Sequence, residues 1–89
     1  MTKPVHRLGD VNDGGGDIAS TAQTTVFANG LPVSVDGSTV NGHGLHFPTS
    51  TANGSPTVFI NGIPVNRQGD ADECGHGRAE GSPDVFVGP

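Results

Sequence analysis

The chain has 89 residues, of which 15 are glycine and 7 are proline, and only 31% are apolar. Its formal net charge is −5 with four basic residues, which excludes the basic surface typical of a nucleic-acid-binding protein. So short and polar a chain cannot build a large core. We therefore expect a metal ion or a partner surface to stabilise it, since its single cysteine excludes an internal disulfide.

The chain contains no recognisable targeting or membrane segment. Residues 1–6 lack the apolar stretch of a signal peptide. No run of about 18 apolar residues could span a membrane. We expect a protein made in the cytoplasm which, if it leaves the cell, is carried by other machinery.

One pattern occurs three times, in the order of a glycine opening, a variable loop and a Val-Phe strand. The openings are at Gly9, Gly37 and Gly69, and the strands contain Val26, Val58 and Val85. We predict a single domain over residues 1–89, with repeats at about 7–35, 36–66 and 67–89. The second repeat is longer because of extra residues in its loop, around 45–51.

Each repeat is predicted to contain a β-hairpin. Short β-branched or aromatic segments favour strands at 24–28, 57–60 and 84–87. Asn29-Gly30 and Asn61-Gly62 follow the first two strands and are the dipeptide most typical of type I′ turns. No segment shows helical periodicity. The predicted fold class is all-β with almost no helix, in which three pseudo-symmetric hairpin repeats pack around one axis. Such a body suits the cap of a threefold partner.

Three phenylalanines occupy equivalent places in the repeats: Phe27, Phe59 and Phe86. We expect them to meet in the centre or to line one layer, as core residues rather than as part of a ligand site.

Two short motifs suggest a metal site. His43 and His46 are three residues apart in the second repeat, and Cys74 and His76 are two apart in the third. Zinc prefers tetrahedral sites of cysteine sulfur and histidine nitrogen. Both motifs follow repeat openings, so pseudo-threefold packing would bring them together in a closed, structural site. The residues alone leave open the alternative that they are exposed turn residues.

Other polar residues have simpler interpretations. His6 is expected to be an exposed turn residue, although it could replace one of the four ligands. Cys74 could instead be a small buried residue with an inert thiol. A hydrolase built on Cys74 and His76 is least favoured, because their spacing fixes no useful geometry. Asp10 and Asp70 are interpreted as turn residues that bond nearby backbone N–H groups, not as calcium ligands.

The repeats resemble the PAAR-repeat family. The motifs that carry the resemblance are Arg7-Leu8-Gly9-Asp10, Arg67-Gln68-Gly69-Asp70, the Gly-Ser-Pro-x-Val-x-x-Asn-Gly-x-Pro-Val unit at 54–65 and its partial copy at 81–88. The resemblance implies a small cone on the blunt end of a trimeric β-helical spike of the valine-glycine-repeat or phage type, one tip per trimer. The machine would be a type VI secretion system or a phage tail. The tip would contact the target membrane transiently and be delivered outside the cell, and it could accompany effector cargo.

The resemblance also implies one zinc ion near the apex, for which this chain offers His43, His46, Cys74 and His76. Gly14 stands where the family often has a histidine, and Ser38 replaces the aspartate of the second Gly-Asp pair. The resulting hypothesis is a structural spike tip and not an enzyme. The alternatives are a small zinc-binding or metal-carrier module without a spike role and, least favoured, the Cys/His hydrolase.

Overall fold

The computed structural model describes residues 2–42 and 47–88, and their regular structure consists entirely of short β-strands. The strands are β1 (Lys3–Pro4), β2 (Ile18–Ser20), β3 (Phe27–Ala28), β4 (Leu31–Pro32), β5 (Thr39–Val40), β6 (Thr49–Ser50), β7 (Phe59–Ile60), β8 (Ile63–Pro64) and β9 (Phe86–Val87). Residues 2–42 and 47–88 include no helix that could span a membrane. The predicted all-β fold class is confirmed.

Two of the predicted hairpins form around their Asn-Gly turns. Strand β3 pairs with β4, and β7 pairs with β8, both antiparallel. Asn29 and Gly30 have φ values of 56° and 78°, and Asn61 and Gly62 have values of 53° and 78°. A type I′ turn requires positive φ at both central residues, which Asn and Gly tolerate best. The turn prediction is confirmed at both places.

The third hairpin joins the two ends of the chain. Strand β9 pairs antiparallel with β1, with Lys3 opposite Val87 and Pro4 opposite Phe86. No partner was predicted for this strand, although Lys3-Pro4-Val5 has the same x-Pro-Val pattern that forms the second strand of the other hairpins. The N-terminal segment therefore completes the third repeat.

The segments that follow the hairpins close into a ring. Their antiparallel bridges are Arg7 to Val33, Val35 to Val65, and Val5 to Arg67. At the centre, the His6 N–H donates to the Asn66 carbonyl at 3.0 Å, Asn66 to Ser34 at 2.9 Å, and Ser34 to His6 at 2.9 Å. Each segment thus donates to one neighbour and accepts from the other. The cycle gives the pseudo-threefold symmetry a physical basis.

The hydrophobic core lies against this ring and is small. Its buried residues are Val5, Ala28, Val33, Val35 and Val65, with Val58, Ile60, Ile63 and Val87 packed partly buried around them. Because valine and alanine dominate, each contributes little apolar area. This matches the expectation of a modest core.

The prediction that the three phenylalanines are core residues is wrong. Phe27, Phe59 and Phe86 are 56%, 50% and 52% exposed. Successive side chains of a strand point to opposite faces. Ala28 is buried and follows Phe27, and partly buried Ile60 and Val87 hold the corresponding places. The smaller residue of each pair therefore faces the core, and the phenylalanine faces outward.

The repeat openings form tight turns of two chemical kinds. The Asp70 carboxylate accepts from the Arg67 backbone N–H at 2.8 Å and from its Nε and Nη2 at 3.0 and 2.8 Å. Asp10 binds Arg7 in the same way. The predicted turn role of both aspartates is confirmed.

In the second repeat both members of this pair differ together. Val35 takes the place of the arginine, and the Ser38 hydroxyl donates to the Val35 carbonyl at 2.6 Å while its oxygen accepts from the Val35 N–H at 3.2 Å. A short hydroxyl thus replaces the ion pair, and the turn closes without a buried charge.

This difference predicts a strong coupling between Arg67 and Asp70. Arg67→Val leaves the buried carboxylate without its guanidinium and should lower the free energy of unfolding by about 1 to 3 kcal/mol. The double variant Arg67→Val/Asp70→Ser reproduces the Val35–Ser38 pair and should lose less than the sum of the two single changes. Urea unfolding of the wild type, both single variants and the double variant measures this coupling. Additive losses would contradict the interpretation.

Candidate metal centre

A second set of bridges lies further along each repeat and leads into three turns. The bridges join Asn12 to Arg78, Thr51 to Asp72, and Ile18 of β2 to Val40 of β5. The first-repeat turn, 12–16, is closed by the Asn12 N–H donating to the Gly16 carbonyl at 2.8 Å. The third-repeat turn, 72–76, is closed in the same way, by the Asp72 N–H donating to the His76 carbonyl at 2.7 Å. These two turns are equivalent, and residues 41–48 connect β5 to β6 at the corresponding place.

The third-repeat turn contains two of the predicted ligands. Cys74 and His76 are both half-buried and lie in the same turn, 72–76. By the closing hydrogen bonds, Cys74 corresponds to Gly14 in the first repeat and His76 corresponds to Gly16. The structure therefore places a cysteine and a histidine in one turn, while the first repeat has glycine at both places.

The other two predicted ligands, His43 and His46, lie outside the described residues. The chain on either side of them is held by the neighbouring repeats. The Asn41 N–H donates to the Asp17 carbonyl at 2.9 Å, and the Glu73 N–H donates to the Ser50 carbonyl at 3.0 Å. The residue that precedes this segment is therefore bound to the first repeat, and Ser50, after it, is bound to the neighbour of Cys74. Within residues 2–42 and 47–88, no group of three His, Cys, Asp or Glu residues could hold a metal ion.

His76 is held from the first repeat by Asp13. Its Nδ1 lies 2.6 Å from Asp13 Oδ1, and the Asp13 N–H donates to the Gly77 carbonyl at 2.8 Å. The hydrogen bond with His76, and to a smaller extent a backbone hydrogen bond from Gly77 to the carboxylate, lower the pKa of Asp13. Because a carboxylate only accepts, Nδ1 carries the proton and Nε2 carries the lone pair in the neutral ring.

The His76 ring lies directly over Gly14. A Cβ atom at Gly14 would be 2.6 Å from His76 Nε2, which is closer than real Cβ contacts allow. The missing side chain in the first repeat therefore makes room for the imidazole of the third. The glycine at this position is explained by that close approach.

A buried polar network lies next to these turns, and sequence analysis missed it. The Arg78 guanidinium is fully buried, with Nη2 bound to Asp72 Oδ2 and Nη1 donating to His6 Nε2 at 2.8 Å. Asn12 Nδ2 also donates to Asp72 Oδ2, at 2.8 Å. Alignment of the three repeats offers a signal for it, because Arg78 takes the place held by Ile18 in the first repeat and Thr51 in the second.

His6 is fully buried, so the expectation of an exposed turn residue is wrong. Its Nδ1 lies 2.7 Å from the Glu80 carbonyl, which can only accept, and therefore bears the proton. Nε2 then accepts from Arg78. Both ring nitrogens are used within the protein, which leaves neither for a metal. Burial, the largest cause, lowers the pKa of His6 to about 4.

Comparison with known proteins gives one family. The family model for the PAAR motif matches residues 8–77. This span begins within the first repeat opening and includes both Cys74 and His76. A search of curated proteins found no relative that matches the chain.

The buried His6 predicts a loss of stability in mild acid. Unfolded chains protonate His6 near its ordinary pKa of 6.5, whereas the folded protein does so at about 4. Between these values the unfolded state binds more protons, so acidification favours it. The stabilisation of about 3 kcal/mol is complete above pH 6.5 and is lost as the pH falls toward 4.

Urea unfolding at several pH values checks this, with a chelator present so that protonation of metal ligands does not contribute. His6→Asn, which introduces the residue found at the equivalent Asn66, should flatten the curve between pH 6.5 and 5 relative to the wild type. Parallel curves for the two proteins would show that His6 is not responsible.

Proposed function

The chain belongs to the PAAR-motif family, the structural spike-tip family of contractile injection systems, and we propose that it caps one trimeric β-helical spike. In this proposal the hairpin end of the protein binds the blunt end of the spike, with one tip per trimer. The turns that contain the candidate metal ligands point away from the spike and meet the target envelope first. Contraction of the machine supplies the force, and the tip supplies a compact leading point.

A pseudo-threefold set of exposed phenylalanines carries this proposal. Phe27, Phe59 and Phe86 occupy equivalent hairpin positions and are each about half exposed. Other large exposed apolar residues, Val26, Leu31 and Val85, lie in or beside the same hairpins. Fully burying an exposed phenylalanine contributes roughly 1.5 to 3 kcal/mol, so covering the exposed half of each ring would contribute about half of that. Three equivalent contacts suit a partner that presents the same surface three times.

The path of the chain separates this surface from the metal centre. In every repeat the chain runs from the second hairpin strand through the ring and then to a turn of the metal centre. The hairpins and the turns are thus at opposite ends of each repeat. Hairpin strands at a blunt spike end could also extend its sheets by backbone hydrogen bonding, as in strand addition.

We also propose one structural zinc ion, held by His43, His46, Cys74 and His76. The donor set fits zinc, because one thiolate and three imidazoles form a preferred tetrahedral combination. Cys74 and His76 share one turn, and Ser50, four residues after His46, accepts a hydrogen bond from the N–H of Glu73, the neighbour of Cys74. When bound, the ion would cross-link the second and third repeats and add folding free energy to a chain with a small core.

A closed zinc site favours a structural role over the alternatives. With all four ligands on the protein, zinc has no open position for a reacting water. Cys74 and His76 would both be ligands, so neither would be available as nucleophile or base. A metal carrier needs exchangeable metal, and rapid exchange with a chelator would favour that function instead.

The spike proposal predicts one tip per trimer and a need for the phenylalanines. Native mass spectrometry with a trimeric β-helical spike protein from the same organism should show a complex of one tip and three spike chains. Replacing Phe27, Phe59 and Phe86 together by serine should abolish the complex. Phe47→Ser is the matched control, because Phe47 is 89% exposed but lies outside the hairpins. Three tips per trimer, or binding by the triple variant, would refute the capping model.

The zinc proposal predicts about one zinc per untagged chain by elemental analysis. Cys74→Ser and His76→Ala should lose the metal and lower the melting temperature, because binding contributes to folding. His6→Asn is the control: both nitrogens of His6 are already hydrogen-bonded, so its zinc content should stay at the wild-type level. A metal-free wild-type protein would exclude the zinc site and leave the repeat fold unaffected.

A further inference from the structure

We propose that Asp13 is the outer-sphere partner of the metal centre: it binds His76 Nδ1 and thereby makes Nε2 the metal-binding atom. This inference rests on the proposed zinc site and concerns a residue of the first repeat, which supplies none of the four ligands. Metal-binding histidines almost always donate their other ring N–H to a carboxylate, carbonyl or water, which fixes the ring and raises its basicity.

The geometry at Asp13 meets the requirements for this role. Oδ1 lies 2.6 Å from His76 Nδ1, a short distance that is typical of a hydrogen bond to a charged acceptor. The Asp13 N–H also donates to the Gly77 carbonyl at 2.8 Å, so backbone and side chain both hold the segment 76–77. Two contacts on adjacent residues restrict rotation of the imidazole more than one contact would.

The hydrogen bond to Asp13 determines which nitrogen of His76 would bind the metal. With Nδ1 bound to Asp13, the lone pair of the neutral ring is on Nε2. The Nε2 side of the His76 ring occupies space that a side chain at position 14 would fill, since a Cβ atom there would lie 2.6 Å from Nε2. Asp13 itself is an outer partner rather than a ligand, because its side chain is 63% exposed and its Oδ1 is directed to Nδ1.

The consequence is that one ion would join all three repeats. The second and third repeats would supply ligands, and the first would act through the hydrogen bond from His76. Without Asp13 the first-repeat turn would have no connection to the metal, because Gly14 and Gly16 occupy the positions of Cys74 and His76.

The test is the zinc affinity of the full chain, measured by competition with a chelator at fixed pH. Asp13→Ala should weaken zinc binding by about 10- to 100-fold. Asp13→Asn keeps an acceptor for Nδ1 but removes the charge, so its loss should be smaller. Asp84→Ala is the matched control. Asp84 is also an exposed aspartate in a hydrogen bond, which it accepts at 2.7 Å from Asn29 on a hairpin. The zinc affinity of this variant should equal that of the wild type.

Two further measurements separate this role from general stabilisation. Imidazole nitrogen NMR of the zinc-bound wild type should show His76 protonated at Nδ1 and metal-bound at Nε2. In a His76→Ala background, Asp13→Ala should cause no further loss of affinity. Metal on Nδ1, or zinc affinity unchanged by Asp13→Ala, would overturn this inference alone. A wild-type chain that binds no zinc would overturn the zinc proposal and this inference with it.

Discussion

The closed cycle of backbone hydrogen bonds among His6, Ser34 and Asn66 is the constraint on which the rest of the structure depends. Three short segments can each donate to one neighbour and accept from the other only when they surround one axis. The cycle leaves no unpaired edge at its centre, so strands of two or three residues suffice. It also brings four valines, Val5, Val33, Val35 and Val65, into one core. A composition that is rich in glycine and poor in apolar residues can fold because of this closure.

Equivalent positions around the axis nevertheless have different chemistry. Ile18 and Thr51 correspond to Arg78, which binds Asp72 and His6 in the buried network. Burying a charged pair costs desolvation free energy, and its hydrogen bonds offset that cost only when the geometry is correct. Three nearly identical hairpins could pair in more than one arrangement. The hydrogen bonds that this pair makes to His6 and Asn12 form only when the third repeat lies beside them, which distinguishes the observed arrangement from the others.

The sequence predicted features with a local chemical cause. The Asn-Gly turns follow from backbone preference, and the turns at Asp10 and Asp70 follow from side-chain hydrogen bonds over three residues. The outward direction of Phe27 could not be predicted. In a strand of two residues one side chain faces the core and the other faces outward, and the sequence pattern is too short to show which is which. The burial of His6 depends on partners more than 70 positions away, Arg78 and Glu80. Cys74 and His76 lie in one turn, whereas their convergence with His43 and His46 stays a prediction.

The outward phenylalanines and the glycine-rich turns have a common physical origin. A core of valines cannot bury three more aromatic rings, so the rings remain on the hairpins, where only a partner can cover them. At the other end of each repeat the turns contain Gly14, Gly16 and Gly75, which contribute backbone entropy to the unfolded state and no side-chain packing. Bound metal and a threefold partner would compensate for these two deficits at opposite ends. In the proposed tip, mechanical strength therefore comes from a hydrogen-bonded ring with one external stabiliser on each side, rather than from a large core.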